Sequence, residues 1–239
     1  MKNNNFQKEI ERIKSVYKIY DNSKNYKDLY LPCGGRYSYI FFSLFKRLNF
    51  FFIKQNIKTL EKKKILDIGC GFGNNFIKFY QFGAKPENIF GVDLLFYRLK
   101  EVKKKFNIKN LINCNCANIP FKNREFDIVT QFVVFSSILD DNMCKNIAAE
   151  MLRVLKDDGI IIWYDSHGGN MMSEHTRSYS EKQIKEFFPD CKYEFKRIIP
   201  HSQLSLRLGK YEFGWLLLDI IEKIFPFWNC MQLCVIRKK

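Results

Sequence analysis

Lys64-Ile65-Leu66-Asp67-Ile68-Gly69-Cys70-Gly71-Phe72-Gly73-Asn74-Asn75 is the stretch that decides the fold of this 239-residue chain. Ile65 to Ile68 reads as a short buried strand, introduced by the basic run Lys62 to Lys64. Glycines follow at 69, 71 and 73, and then Phe76, Ile77, Phe79 and Tyr80 recur at helical spacing. A strand, a glycine turn and a helix bring backbone very close to whatever sits at the helix N-terminus. The acid Asp67 stands at the strand end. The dinucleotide fingerprint G-x-G-x-x-G leaves that position apolar and sets its third glycine one residue later. A carboxylate there disfavours a pyrophosphate and favours a cationic or amine-bearing ligand. A second acid, Asp93, ends the apolar run from Ile89, in the place from which a ribose diol is gripped.

Outward from this loop, strand and helix alternate as a parallel sheet with crossover helices requires. Strands are expected over Ile89–Leu94, Leu111–Cys116, Phe126–Phe132 and Gly159–Tyr164, with helices over Phe96–Phe106 and Asp141–Leu155. Asp157-Asp158-Gly159 reads as the stop after the last of these. Ser180 with Gln183 forms a capping-box signature before Ile184, Phe187 and Phe188. Tyr193–Ile199 and Met231–Ile236 read as further strands, with an apolar helix over Phe213–Phe227 between them. Before the loop, Ile10, Ile13, Tyr17 and Tyr20 mark an amphipathic helix. Pro32, Gly34 and Gly35 mark a turn, and Phe41, Phe45, Leu48 and Phe52 a second helix. Residues 1–60 are therefore expected to cap residues 61–239 within one domain, either over the ligand mouth or on the sheet edge.

The net charge of +15 raises nucleic acid or an anionic surface as a partner. The lysines are scattered, however, with short clusters only at 62–64 and 103–105, so no specific nucleic-acid binding is expected. The charge reads as solvated surface with a bias toward anionic substrates. Eight cysteines lack any C-x-x-C pair, which argues against a metal site or a disulfide scaffold and for a reducing, cytoplasmic compartment. The polar start carries no signal-peptide pattern. Tyr39–Ile53 is broken by Lys46 and Arg47 and is too short to span a bilayer, leaving at most peripheral membrane contact.

The pairing of D-x-G-x-G-x-G with an acid at the second strand end resembles the class I S-adenosylmethionine (SAM)-dependent methyltransferases. Asn115-Cys116-Ala117-Asn118-Ile119-Pro120-Phe121 is similar to that family's D-A-x-x-L-P-F loop, and Phe126-Asp127-Ile128-Val129 to its F-D-x-V strand. Glu150-Met151-Leu152-Arg153-Val154-Leu155-Lys156-Asp157-Asp158-Gly159 is similar to its E-x-x-R-V-L-K-P-G-G helix end. The resemblance covers about Lys62 to Ser166. It implies a Rossmann-like α/β fold, a seven-stranded mostly parallel sheet with helices on both faces, with SAM as cofactor and S-adenosylhomocysteine as product. It also implies a cofactor site of Asp67, Gly69, Gly71, Gly73, Asp93, Leu94, Cys116, Ala117 and Gln131. Cys116 stands where the family's acid holds the adenine amino group, so a backbone group of Ala117 is the expected substitute. Gln131 to Asp140, Trp163 to Asp165, Phe187 to Cys191 and Arg36-Tyr37 resemble a bacterial subgroup associated with surface-polysaccharide biosynthesis.

Substrate is expected at the carboxyl ends of the strands, against Arg36, Tyr37, Ser136, Tyr164 and His175. His167 is the candidate general base, with Asp165 to orient it or to hold the substrate. Asp165, His167 and His175 lack the paired spacing of a metal site, so no metal is expected. After the fourth strand, Thr130-Gln131-Phe132-Val133 replaces the [DNS]-P-P-[YFW] of amino-methylating nucleic-acid enzymes. The Pro-Cys pair of pyrimidine C5 enzymes is also absent from the sequence. What remains is an oxygen acceptor on a small or glycan-linked, and in one form phosphorylated, molecule. A nucleic-acid-directed methyltransferase and a non-catalytic SAM-binding scaffold are the two alternatives.

Overall fold

Five of the short apolar runs become parallel strands at the centre of a single sheet. β1 (Ile65–Ile68) lies between β2 (Ile89–Asp93) and β4 (Phe126–Phe132), with β3 (Asn110–Asn113) outside β2 and β5 (Leu155–Ser166) outside β4. β7 (Asn229–Lys238) runs antiparallel between β5 and β6 (Cys191–Pro200). The computed structural model describes residues 2–23, 38–168 and 174–239, and among these the strand order is β3-β2-β1-β4-β5-β7-β6. The chain starts in the middle at β1, works out to β3 and returns to β4. The order therefore reverses between β1 and β4, and a ligand crevice opens at their carboxyl ends.

Helices fill the crossovers after β1, β2 and β4, while residues 114–125 join β3 to β4 without one. α3 (Phe76–Gln81) follows β1, α4 (Phe96–Lys105) follows β2 and α5 (Asp141–Val154) follows β4. α5 and α6 (Glu181–Phe187) cover one face, over Trp163, Phe135 and Phe188. α3, α4 and the earlier α2 (Ser38–Lys54) cover the other, over Ile65, Ile162 and Tyr164. With both faces covered, β1 buries all four of its residues, as central parallel strands do. α1 (Lys2–Asn22) lies apart from α2, across the strand ends.

Several boundaries differ from those read in the sequence. β3 stops at Asn113, because Cys114 onward forms the loop toward Cys116. β5 begins at Leu155 rather than Gly159. Leu155 pairs with Phe126, the register shifts, and pairing resumes at Ile160 with Ile128. The Asp157–Gly159 turn is thus a bulge inside the strand. Gly159 is required there because a Cβ would sit 2.9 Å from the Asp127 carbonyl. The late apolar helix is two pieces, α8 (Glu212–Ile224) and a 3-10 turn over Pro226–Trp228, since Pro226 cannot continue the ladder. A short helix before it, α7 (Ser202–Leu208), was not anticipated.

Candidate active site

The floor of the crevice is Asp67 at the end of β1. Its Oδ1 accepts a hydrogen bond from Thr130 Oγ1 at 2.6 Å, while Oδ2 is buried without a full hydrogen bond. Burial pushes this carboxyl up to about 7, against the opposing pull of Thr130, Lys78 and the Asn75 amide. Lys78, one turn into α3, is only 2% exposed. Its Nζ lies 3.2 Å from Asn75 Oδ1 and 3.5 Å from the centroid of the Phe41 ring. Burial brings the ammonium down to about 7, although Asp67 favours the charge.

The three glycines have φ of +64°, +55° and +75°, the left-handed region that side chains disfavour. Space separates their roles. A Cβ on Gly69 would lie 2.6 Å from Val134, and one on Gly73 2.9 Å from the Phe76 ring, so those two serve packing. A Cβ on Gly71 would meet only Arg98 Nη1, at 3.7 Å. Gly71 therefore faces open space, as a residue under a ligand must.

Asp93 closes the opposite side. Its Oδ2 accepts from the Gly71 amide and its Oδ1 from the Leu95 amide, each at 2.8 Å. Burial raises its carboxyl, opposed by the Leu95 amide, the Arg98 charge and the Gly71 amide. Leu94 beside it is half-buried. Cys116 is buried near the Gly69 amide, and burial drives its thiol up, so it remains neutral. The Ala117 N–H donates to Asn115 Oδ1 at 3.0 Å, so of its two backbone groups the amide is already engaged. Gln131 is fully buried, and its amide ties β4 to its surroundings: Nε2 donates to the Tyr164 carbonyl and Oε1 accepts from the Val134 amide. Both ends of its amide are thus engaged in bracing the loop after β4.

On the acceptor side, Asp165 is fully buried and accepts from the Ser136 amide at 3.1 Å and the Ser166 amide at 2.8 Å. Burial raises its carboxyl to about 6 against these bonds. His167 continues the ladder, its amide donating to the Cys230 carbonyl, and its Nδ1 lies 3.1 Å from the Tyr179 carbonyl. A carbonyl only accepts, so Nδ1 carries the hydrogen and Nε2 keeps the lone pair. Asp165 and His167 are thus not hydrogen-bonded to each other, and Asp165 fixes the Phe135–Ser137 turn instead. Tyr164 points to the other face of the sheet, packed on Phe132 within the core beneath α2 and α3. His175 Nε2 lies 3.2 Å from the Glu174 carboxylate. Arg36 and Tyr37 lie outside the described residues. Among those residues no group of three or more His, Cys, Asp or Glu is arranged to hold a metal.

The sequence left residues 1–60 either over the ligand mouth or on the sheet edge, and α1 takes the first place, as a strap, through contacts that no local pattern encodes. From the loop after β4, the Leu139 amide donates to Glu9 at 2.6 Å, and Arg12 donates to the Ser137 carbonyl at 2.6 Å. Tyr17 shares a 2.6 Å hydrogen bond with Ser137 Oγ. At the far end of α1, Arg98 donates twice to Asp21 at 2.7 Å, and Tyr97 adds a third bond at 2.5 Å. From Glu9 to Asp21 is about 18 Å of helix at the standard rise. α1 therefore crosses the crevice from the β4 side to the β2 side.

The residues present fit the cofactor that the loop's resemblance implies. A buried acceptor without a full partner at Asp67 suits an ammonium, the Gly71 cradle admits a ligand backbone to backbone, and Asp93 offers further lone pairs to a diol. Residues 66–163 match the family described as a methyltransferase domain. An uncharacterized protein of Methanocaldococcus jannaschii is 29% identical over 154 residues, covering 62% of this chain and 56% of that protein. The Asnovolin E/Chermesin D methyltransferase of Aspergillus novofumigatus is 26% identical over 155 residues, covering 61% and 54%. The chain thus spans little more than half the length of these relatives. Among solved structures, an S-adenosylmethionine-dependent methyltransferase from Clostridium acetobutylicum superposes with a TM-score of 0.58 at 16% identity, over 84% of this chain and 92% of that one.

Proposed function

We propose that the chain is an O-methyltransferase, from the premise that residues 66–163 are a class I SAM-dependent methyltransferase domain with SAM as its cofactor. The acceptor in this reading is a hydroxyl, or an already ionised oxygen, on a small or glycan-linked molecule of surface-polysaccharide synthesis. The observation that carries the cofactor assignment is the buried, under-partnered Asp67 facing Asp93 across the open Gly71. The oxygen acceptor is supported by the sequence at the end of β4, Thr130-Gln131-Phe132-Val133, which lacks the motifs of base-methylating enzymes. A reducing cytoplasm and a unit in which residues 1–60 work with 61–239 complete the reading.

SAM, when bound, supplies an electrophilic methyl group for in-line displacement. The residues supply the rest. Asp67 holds a cationic amine at the floor, Asp93 aligns a diol, and α1 keeps water from the crevice. His167, its Nδ1–H engaged by Tyr179, presents Nε2 to take the proton of an acceptor hydroxyl. Ser136 and Asp165 hold the turn beside it. Alignment of donor and acceptor contributes whichever oxygen is used.

Calorimetry with SAM, followed by methyl-labelled SAM with a panel of nucleotide sugars, phosphorylated glycans, transfer RNA and duplex DNA, tests this. Label in a glycan or sugar supports it. SAM binding with label entering only nucleic acid overturns the acceptor, and absence of SAM binding overturns the whole.

A further inference from the structure

α8 buries the face that carries an acid and leaves its aliphatic face in solvent. At about 100° per residue, Phe213, Leu216, Leu217, Ile220 and Ile224 fall in one sector, and each is between 41% and 67% exposed. The buried face holds Gly214, Leu218 and Glu222. Glu222 pairs with Arg47 and accepts from the Ile199 amide, while Asp219 accepts from Lys46 at 2.5 Å and from the Tyr39 hydroxyl at 3.2 Å. Charged contacts to α2 thus fix the helix, and its apolar sector plays no part in that docking. The Pro226–Trp228 turn extends the sector with Phe227 and Trp228, 67% and 50% exposed. A continuous apolar surface of this kind on a folded chain marks an interaction site.

Its rim is basic and its ends are aromatic. Arg207, Lys210 and Lys223 are exposed around it, with Glu212 as the exposed acid of α8. Tyr211 and Trp228 stand at either end of the helix, residue types that favour a bilayer's headgroup level. Between α7 and the turn is a hollow of about 480 Å³, lined by His201, Gln203 and Arg207 on its polar side and by Leu204, Phe227 and Trp228 on its apolar side. Donors next to exposed apolar rings are the chemistry of an anionic lipid headgroup with its acyl chain. No helix among the described residues is long and apolar enough to cross a membrane.

We propose that this face docks on the surface of an anionic phospholipid bilayer, with α8 and the Pro226–Trp228 turn lying in the interface and Arg207 meeting a lipid phosphate. A large apolar moment with a basic polar rim is what interfacial helices carry. The rim charge suits an anionic surface better than a second copy, whose own cations would oppose it. The inference does not depend on which acceptor is methylated.

Vesicle co-sedimentation of the full chain tests it, with phosphatidylcholine alone and with phosphatidylcholine containing phosphatidylglycerol. Binding is expected only to the anionic vesicles, falling as salt rises. Lys223→Gln should weaken partition about fivefold, the effect of one cation near such a surface. Ile220→Glu with Ile224→Glu should weaken it by at least about tenfold, with an unchanged circular dichroism spectrum and SAM affinity as evidence that the variant is folded. A wild-type chain that stays in the supernatant with both vesicles overturns the proposal. So does a dimer in ultracentrifugation that Ile220→Glu dissociates, because the face would then be covered by a second copy.

Discussion

Arg98 grips Asp21 with two hydrogen bonds of 2.7 Å, and its Nη1 is also the atom nearest to the open space over Gly71. One guanidinium therefore fastens the strap and borders the ligand cradle. Both partners are about nine-tenths buried, and the Tyr17 ring stacks 4.3 Å from the guanidinium. Asp21→Asn leaves that charge buried and poorly paired, which costs about 3–5 kcal/mol where it cannot relax. Here it can relax, by release of α1. The expected result is faster hydrogen exchange confined to residues 2–23, with β1 and β4 unaffected, and faster release of SAM. Unchanged protection in α1 would show that other contacts hold the strap.

The cradle itself gives the second prediction. On the proposed reading, Asp93→Ala should cost the charge-assisted bond to a ribose diol, about 1.5–3 kcal/mol, or roughly tenfold to a hundredfold in SAM affinity. It also frees the Gly71 and Leu95 amides, so part of the loss is loop order. Gly71→Val should abolish binding, since only the ligand's space accepts the side chain. Calorimetry with unchanged affinity in both variants would remove the cofactor from this crevice.

How much of this was legible in the sequence follows from the range of each interaction. β4 runs over Phe126–Phe132 as read, and the Ser180–Gln183 capping box forms as read, because a strand's apolar run and a helix cap are local. The glycine loop was legible for the same reason. The grip of Arg98 on Asp21 joins residues 77 apart, and nothing in either neighbourhood encodes it. Gln131 read as a loop polar group, and only the approach of the Tyr164 carbonyl from β5 shows where its amide goes. Leu155 read as helix because its pairing with Phe126 depends on register across the sheet. Asp165 and His167 sit two residues apart as a strand requires, yet their partners come from the Ser136 turn and from Tyr179.

A third prediction concerns pH. Burial brings the native Lys78 ammonium down to about 7 from an ordinary value of 10.5. Between those values the unfolded chain binds more protons than the native one, so stability rises with pH, by at most about 1.4 kcal/mol per pH unit. Asp67 has the opposite sense. It rises from 3.8 to about 7, so over that range the native state binds more protons and its contribution falls as pH rises. The pair's combined contribution is lowest near neutrality. Lys78→Met should abolish the alkaline rise, read as the difference in urea midpoints at about pH 7 and about pH 9.5. An equal rise in the variant would assign it to another group.

The last prediction is about the base. Because the Tyr179 carbonyl fixes the hydrogen on Nδ1, His167 offers Nε2 as the acceptor without any change of tautomer. Asp165 accepts from the Ser136 and Ser166 amides, and the group bonded to His167 Nδ1 is the Tyr179 carbonyl. A hydroxyl is a poor nucleophile until its proton is removed, and a placed base contributes typically 10²–10⁴-fold in rate. His167→Ala should therefore lower kcat by at least about a hundredfold while SAM affinity stays intact. Asp165→Asn is the contrasting variant: it weakens the turn that carries Ser136, so KM for the acceptor should rise while the pH profile keeps its shape. If His167→Ala turns over near normally, the acceptor oxygen needs no base. An ionised, phosphate-type oxygen aligned by proximity then becomes the substrate to seek.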